Sequence, residues 1–120
     1  MKNKIYDIPK AARYLAFRIP TIKTEILKLS AMRNFAAILQ SIINYQHEIL
    51  SGHKVEQLKV SIQAIGRIYV KGNTHIRYLI RNLYLRAQAF YADRCTNTEW
   101  ILIQSYVPQK IKLISINLNK

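Results

Sequence analysis

Apolar residues recur at steps of three and four along most of the chain. That spacing gathers side chains on one face of an α-helix. From Ala31 to Leu50 the positions Phe35, Ile38, Leu39, Ile42, Tyr45 and Ile49 keep it, and Ile43 and Leu50 widen the stripe. Only Arg33 and Glu48 are charged there, so this segment reads as a central helix. Lys54 to Lys71 repeats the pattern through Val55, Leu58, Ile62, Ile65 and Tyr69. His75 to about Ala92 repeats it through Ile76, Leu79, Ile80, Leu83, Ala87 and Phe90.

The punctuation between these stripes suits helices. Asp7 can cap a first helix with Pro9 in its opening turn and a small face of Ala11, Ala12, Leu15 and Ala16. Pro20 stops it near Ile19, because the residue before a proline avoids helical geometry. Thr21 can cap a second, short helix through Ile22, Ile26, Leu27 and Leu29, and Ser30 can cap the central one. Gly52 and Gly72 each follow a stripe and are expected in the left-handed conformation that closes many helices. Asn73 or Thr74 caps the next segment. Thr98 can cap a short helix with Trp100, Ile101 and Ile103, which Pro108 closes.

Connections this short force neighbouring helices to run antiparallel. The predicted fold is therefore all-α, a single domain over 1–120 of about five to six helices built from consecutive antiparallel helical hairpins. Its expected core is Leu15, Phe35, Ile38, Leu39, Ile42, Ile49, Leu58, Ile62, Ile65, Leu79, Ile80, Leu83 and Phe90. Gly66, inside a helix, should tolerate alanine unless another helix packs on it. The segment from about residue 109 is ambiguous, since its apolar residues fit either a strand or a helix; a short helix or an irregular tail suits the helical context better.

Composition changes this picture in one respect. Half of the 120 residues are hydrophobic, enough for a packed core, while 19 Lys and Arg against 6 Asp and Glu leave a net charge of +13. Such an excess suits an anionic partner. It is spread along the chain, with seven basic and two acidic residues in 1–30 and four basic and one acidic in each of 51–72 and 73–95. One cysteine, Cys95, requires no oxidising compartment. The charged N-terminus lacks the apolar stretch of a signal peptide. The uncharged run from Asn34 to His47 falls short of the ~20 apolar residues of a membrane span. A cytoplasmic protein is expected.

The order of signals resembles a known family. Arg18-Ile19-Pro20 ends the first helix, Tyr69-Val70-Lys71-Gly72-Asn73 forms a turn, and Ile76-Arg77 leads through Leu79 and Ile80 to Asn82. Cys95-Thr96, Thr98-Glu99-Trp100 and Val107-Pro108 follow. This resembles a family of small, uncharacterised all-helical bacterial proteins, a domain of unknown function. The resemblance implies a helical fold and carries no activity, cofactor or catalytic residue with it.

Residue chemistry points away from catalysis. His47 and His53 lack the spacing of three or four that a helical metal pair prefers. Cys95 has Arg94 beside it, which could lower its pKa, but no histidine near in sequence. The three glycines cannot build a phosphate loop. No catalytic residue, metal, cofactor or small-molecule substrate is expected.

Two binding surfaces remain. Lys59, Lys71, Arg77, Arg81, Tyr84 and Gln88 form a candidate surface for an anionic partner, cations neutralising phosphates and tyrosine stacking on bases. Arg33, Ala37, Gln40, Asn44 and His47 form a candidate surface for a protein, although a helix so poor in charge favours covering by the N-terminal helices of the same chain. The leading expectation is a non-enzymatic interaction module with a protein partner or itself as ligand. A nucleic-acid-binding protein using a basic and aromatic helical face is the alternative.

Overall fold

The computed structural model describes residues 5–112. Among them are seven α-helices joined by short 3₁₀ turns, and no strand. Helix α1 (Ile8–Arg18) opens on Asp7, whose carboxylate accepts from the Lys10 backbone N–H at 3.1 Å. It ends before Pro20, as the proline dictates. A 3₁₀ turn, Pro20–Ile22, leads into α2 (Lys23–Ala31), which packs along α1.

The central helix α3 (Phe35–Ser51) starts later than its apolar spacing suggests. Ser30 lies within α2, and Asn34 is the cap, its side chain accepting from Ala37 N–H at 3.0 Å. Arg33 makes the corner between the two helices at φ 56°. Phe35, Ile38, Leu39, Ile42, Ile43, Gln46 and Leu50 are buried on α3, against α1, α2 and the helices that follow.

Neither turn glycine is left-handed. Gly52 has φ −90°, and His53 takes the left-handed position at φ 58°. Gly72 is extended, at φ −74° and ψ 157°, because it pairs with the chain entering α1. Tyr6 N–H donates to Lys71 O at 2.7 Å, and Asn73 N–H donates to Tyr6 O at 3.0 Å. A Cβ on Gly72 would lie 2.6 Å from Ile76 Cγ2 and 2.7 Å from Ile68 O. Close packing, not a positive φ, is what requires glycine there.

A 3₁₀ turn, Val55–Leu58, precedes α4 (Lys59–Lys71), and α4 packs on α1, α5 and α7. Asn73 then caps α5 (Thr74–Leu79), accepting from Ile76 N–H at 2.9 Å. This helix continues through a π-helical turn, Ile80–Tyr84, into α6 (Leu85–Gln88). A π turn bonds i to i+5 and so inserts an extra residue. Steps of four now stay on one face, and Ile76, Ile80, Tyr84 and Gln88 all point inward, followed by Tyr91. The expected inward stripe is displaced: Leu79 and Leu83 are only half-buried, and Phe90 is 65% exposed.

A 3₁₀ turn, Tyr91–Arg94, leads to α7 (Asn97–Tyr106). Thr96, rather than Thr98, caps α7, in a reciprocal box with Glu99. Pro108 follows the end of α7 and packs on α4. The ambiguous C-terminal segment is helical from residue 109 to 112, and the remainder lies outside the described residues.

Buried residues from all seven helices form one contiguous apolar cluster. Leu15, Phe35, Ile38, Leu39, Ile42, Leu58, Ile62, Ile65 and Ile80 belong to it as expected, while Ile49 is half-buried. No helix among the described residues is long and apolar enough to cross a membrane.

Candidate anion-binding face

The outer side of α4 is set by which of its residues the core claims. Ser61, Ile62, Ala64, Ile65, Gly66, Ile68 and Tyr69 face inward. Lys59, Val60, Gln63, Arg67, Val70 and Lys71 are left exposed in one strip along the helix, with no carboxylate among them. Lys59 and Lys71 are thus accessible, and Arg67 joins them.

Two arginine–tyrosine clusters flank this strip. Tyr14 of α1 carries two guanidinium groups. Arg67 lies with its Cζ 5.6 Å from the ring centroid, and Arg18 lies 5.9 Å from it and donates to the hydroxyl at 3.3 Å. Tyr69 of α4 repeats the arrangement with the helix that follows. Arg77 Cζ sits 5.2 Å from its ring centroid, and Arg81 donates to its hydroxyl at 3.0 Å. Tyr6 packs against Tyr14 at 6.4 Å between centroids, with Lys10 Nζ 5.1 Å from the Tyr6 ring. The electron-rich ring faces attract these cations and hold long side chains in place.

Ring attraction does not neutralise the charge. The one contact between a carboxylate and a basic side chain within ion-pairing distance among the described residues joins Glu99 to His53, at 3.1 Å. None of Lys59, Arg67, Lys71, Arg77 or Arg81 has a carboxylate within ion-pairing distance there. Four of the six carboxylates, Glu48, Glu56, Asp93 and Glu99, belong to the end of α3 and to segments packed near it, α7 and the two 3₁₀ turns before α4 and α7.

Two residues expected on this surface are inside the protein. Tyr84 is 1% exposed and Gln88 5% exposed. The π turn rotates both toward α3. The Tyr84 and Tyr91 hydroxyls donate to Gln46 Oε1, at 3.0 and 2.6 Å. Gln46 Nε2 in turn donates to Ser61 Oγ at 2.8 Å, and Ser61 donates to Leu58 O. Burial raises the pKa of both phenols well above the ordinary range, so they stay protonated donors. Gln88 Nε2 has no hydrogen-bond partner among the described residues.

The candidate protein-binding residues lie along the outer side of α3, with Arg33 in the corner before it. Arg33, Gln40 and Asn44 are exposed, Ala37 and His47 half-buried, and Gln40 Nε2 donates to Asn44 Oδ1 at 3.0 Å. The His47 ring meets Tyr91 edge-on at 5.3 Å. Partial burial, and secondarily the charge of Arg94, lower its pKa.

Cys95 is half-buried, its thiol donating to Tyr91 O at 3.3 Å. Burial, and secondarily the Glu99 carboxylate, raises its pKa, opposite to the lowering that Arg94 beside it could have produced. The described residues contain no group of three or more histidine, cysteine or carboxylate side chains placed to hold a metal ion.

Sequence reasoning missed Arg67, Arg18 and Tyr14. The spacing of Tyr14 and Arg18, one helical turn apart, is a readable signal. Arg67 joins them only because α1 packs on α4.

No curated protein and no solved structure matches the chain. The model of the domain of unknown function DUF7674 matches residues 12–120. That span holds every helix from α1 onward apart from its first turn, and the chain belongs to this family.

Proposed function

We propose that the protein is a non-catalytic interaction module that binds a polyanionic partner along the exposed strip of α4 and its arginine–tyrosine flanks. The supporting observation is that Arg18, Arg67 and Arg77 are held over tyrosine rings and Arg81 on a tyrosine hydroxyl, while no carboxylate pairs with any of them among the described residues. Two guanidiniums gathered on one tyrosine repel each other, and an anion between them relieves that repulsion. Their planar forks suit bidentate capture of phosphate or carboxylate oxygens. A cytoplasmic setting belongs to the same reading, since the one thiol asks for no oxidant.

Salt titration tests this. Binding to a polyanion such as heparin or an oligonucleotide, followed by fluorescence anisotropy, should weaken linearly on a log–log scale as cations release their counterions. No binding to any polyanion at low ionic strength would contradict the proposal.

A second reading, a protein docking on α3, is favoured by one observation. Arg33, Gln40 and Asn44 stay exposed rather than being covered by the N-terminal helices. Light scattering across concentration tests self-association through that side, and Gln40→Arg with Asn44→Arg should abolish any dimer it mediates.

A further inference from the structure

Helices α1 and α4 lie side by side and run antiparallel, since Tyr6 pairs with Gly72 at one end and Tyr14 meets Arg67 further along. Their outer sides therefore form one shallow face. On α1, Lys10, Arg13 and Phe17 follow one another at steps of three and four, away from the buried Ala11, Ala12, Leu15 and Ala16. Phe17 is 78% exposed, more than any other large apolar side chain among the described residues. On α4, the exposed Val60 and Val70 stand in the strip that also holds Lys59, Arg67 and Lys71. Neither helix contains a carboxylate, and Asp7, ahead of α1, is engaged as its cap.

We propose that this face rests on the surface of an anionic lipid bilayer, with Phe17 inserted among the headgroups and the cations of both helices against the lipid phosphates and carboxylates. The inference rests on the polyanion reading above and names its partner. Apolar insertion and attraction to anionic lipids add to one another, and a single weak anchor gives only marginal attachment. The leaflet that faces the cytoplasm supplies the negative charge. Three features favour a bilayer over other polyanions. Phe17 projects from the outer side of a helix instead of lining a cleft, so its partner must yield around it, as a headgroup layer does. Val60 and Val70 are aliphatic; they gain from an apolar boundary, and they give a nucleobase no aromatic face to stack on. The cations are spread over two neighbouring helices, which matches a plane of headgroups. An acidic peptide extended across the same face would satisfy the cations and leave Phe17 in water.

The experiment uses the full chain and two variants at an exposed position, Phe17→Ser and Phe17→Leu, neither of which changes the charge. The probes are vesicles of phosphatidylcholine and phosphatidylserine mixed about seven to three, vesicles of phosphatidylcholine alone, and a fluorescein-labelled oligouridylate. Vesicle binding is read by co-sedimentation and oligouridylate binding by anisotropy, each at several salt concentrations. The parent should bind the mixed vesicles, less as salt rises, and bind phosphatidylcholine alone about tenfold more weakly or not at all. Phe17→Ser should weaken binding to the mixed vesicles about tenfold, while Phe17→Leu should stay close to the parent, because hydrocarbon accepts either apolar side chain. Oligouridylate binding should be the same in all three proteins. Equal binding of the mixed vesicles by the parent and Phe17→Ser would overturn the insertion. A matching loss of oligouridylate binding in Phe17→Ser and Phe17→Leu would assign Phe17 to base stacking and overturn it as well. Binding of oligouridylate without binding of the mixed vesicles would overturn the bilayer while leaving the polyanion reading intact. Failure of both to bind at low salt would instead remove the polyanion reading itself.

Discussion

The Tyr84 hydroxyl donates to Gln46 Oε1 at 3.0 Å in the centre of the protein, from a helix position that apolar spacing assigns to the surface. Gln46 is fully buried and needs donors and an acceptor of its own. The π turn supplies the donors by rotating Tyr84 and Tyr91 inward. Gln46→Leu should therefore cost about 2–5 kcal/mol, because it leaves two buried hydroxyls without an acceptor. Tyr84→Phe, which leaves Tyr91 on Gln46, should cost only about 1 kcal/mol. Urea midpoints at unchanged slope measure both.

Gln88 follows Tyr84 by one turn on the same buried face, with its Nε2 unpartnered among the described residues. Gln88→Leu removes that amide and adds apolar surface to the core. It should raise stability by about 1 kcal/mol, seen as a higher thermal midpoint.

The three glycines should separate under alanine substitution. Gly66→Ala pushes a methyl into the Pro108 ring, and Gly72→Ala pushes one into Ile76 and the Ile68 carbonyl. Each should lose about 1–3 kcal/mol, with the helix gain of up to ~1 kcal/mol at Gly66 offsetting part of the loss. Gly52→Ala meets only ordinary van der Waals neighbours, at 3.7 Å and beyond, and should be neutral or slightly stabilising. Denaturant melts of the three single variants decide the order.

Much of the architecture is legible in the sequence because helix periodicity is local. Asp7, Asn73 and the prolines at 20 and 108 bound their helices as their chemistry requires. What the spacing does not carry is the π turn. Nothing in Ile80–Tyr84 distinguishes it from α-helix, and the buried partner that Tyr84 meets, Gln46, lies 38 residues away. The consequences spread from there. Periodicity puts Phe90 in the core and Tyr84 and Gln88 on the surface, and the extra residue of the π turn reverses all three. The anion-binding surface thereby loses the one aromatic expected on it. Its cations are legible because Lys59, Lys71, Arg77 and Arg81 stay outside. The tyrosines that organise them, Tyr14 and Tyr69, depend on packing between helices. Gly72 shows a different gap: a turn glycine suggests a left-handed cap, while the pairing with Tyr6 imposes extended backbone.

His47 makes stability depend on pH. Its pKa in the folded protein is lowered from 6.5, mainly by burial and also by Arg94. The unfolded chain thus takes up the proton more readily, and the contribution is fully present above the unfolded pKa. It is lost as pH falls through the folded value. His47→Gln should flatten the decline in thermal midpoint between about pH 7 and pH 5. A parallel decline in the two proteins would show that His47 does not carry it.

The central claim is that position, and not net charge alone, makes the anion-binding face. It is tested most directly by two quadruple variants with the same loss of charge. One changes Arg67, Lys71, Arg77 and Arg81 to Gln, and the other changes Lys23, Lys28, Arg33 and Arg86 to Gln. Oligouridylate binding is measured against salt for both, with circular dichroism confirming the fold. The first variant should flatten the log–log slope by about three units, near 0.7 for each phosphate no longer neutralised on a single strand, and the second should leave it close to the parent. Equal flattening in both variants would contradict the account and assign the binding to diffuse charge.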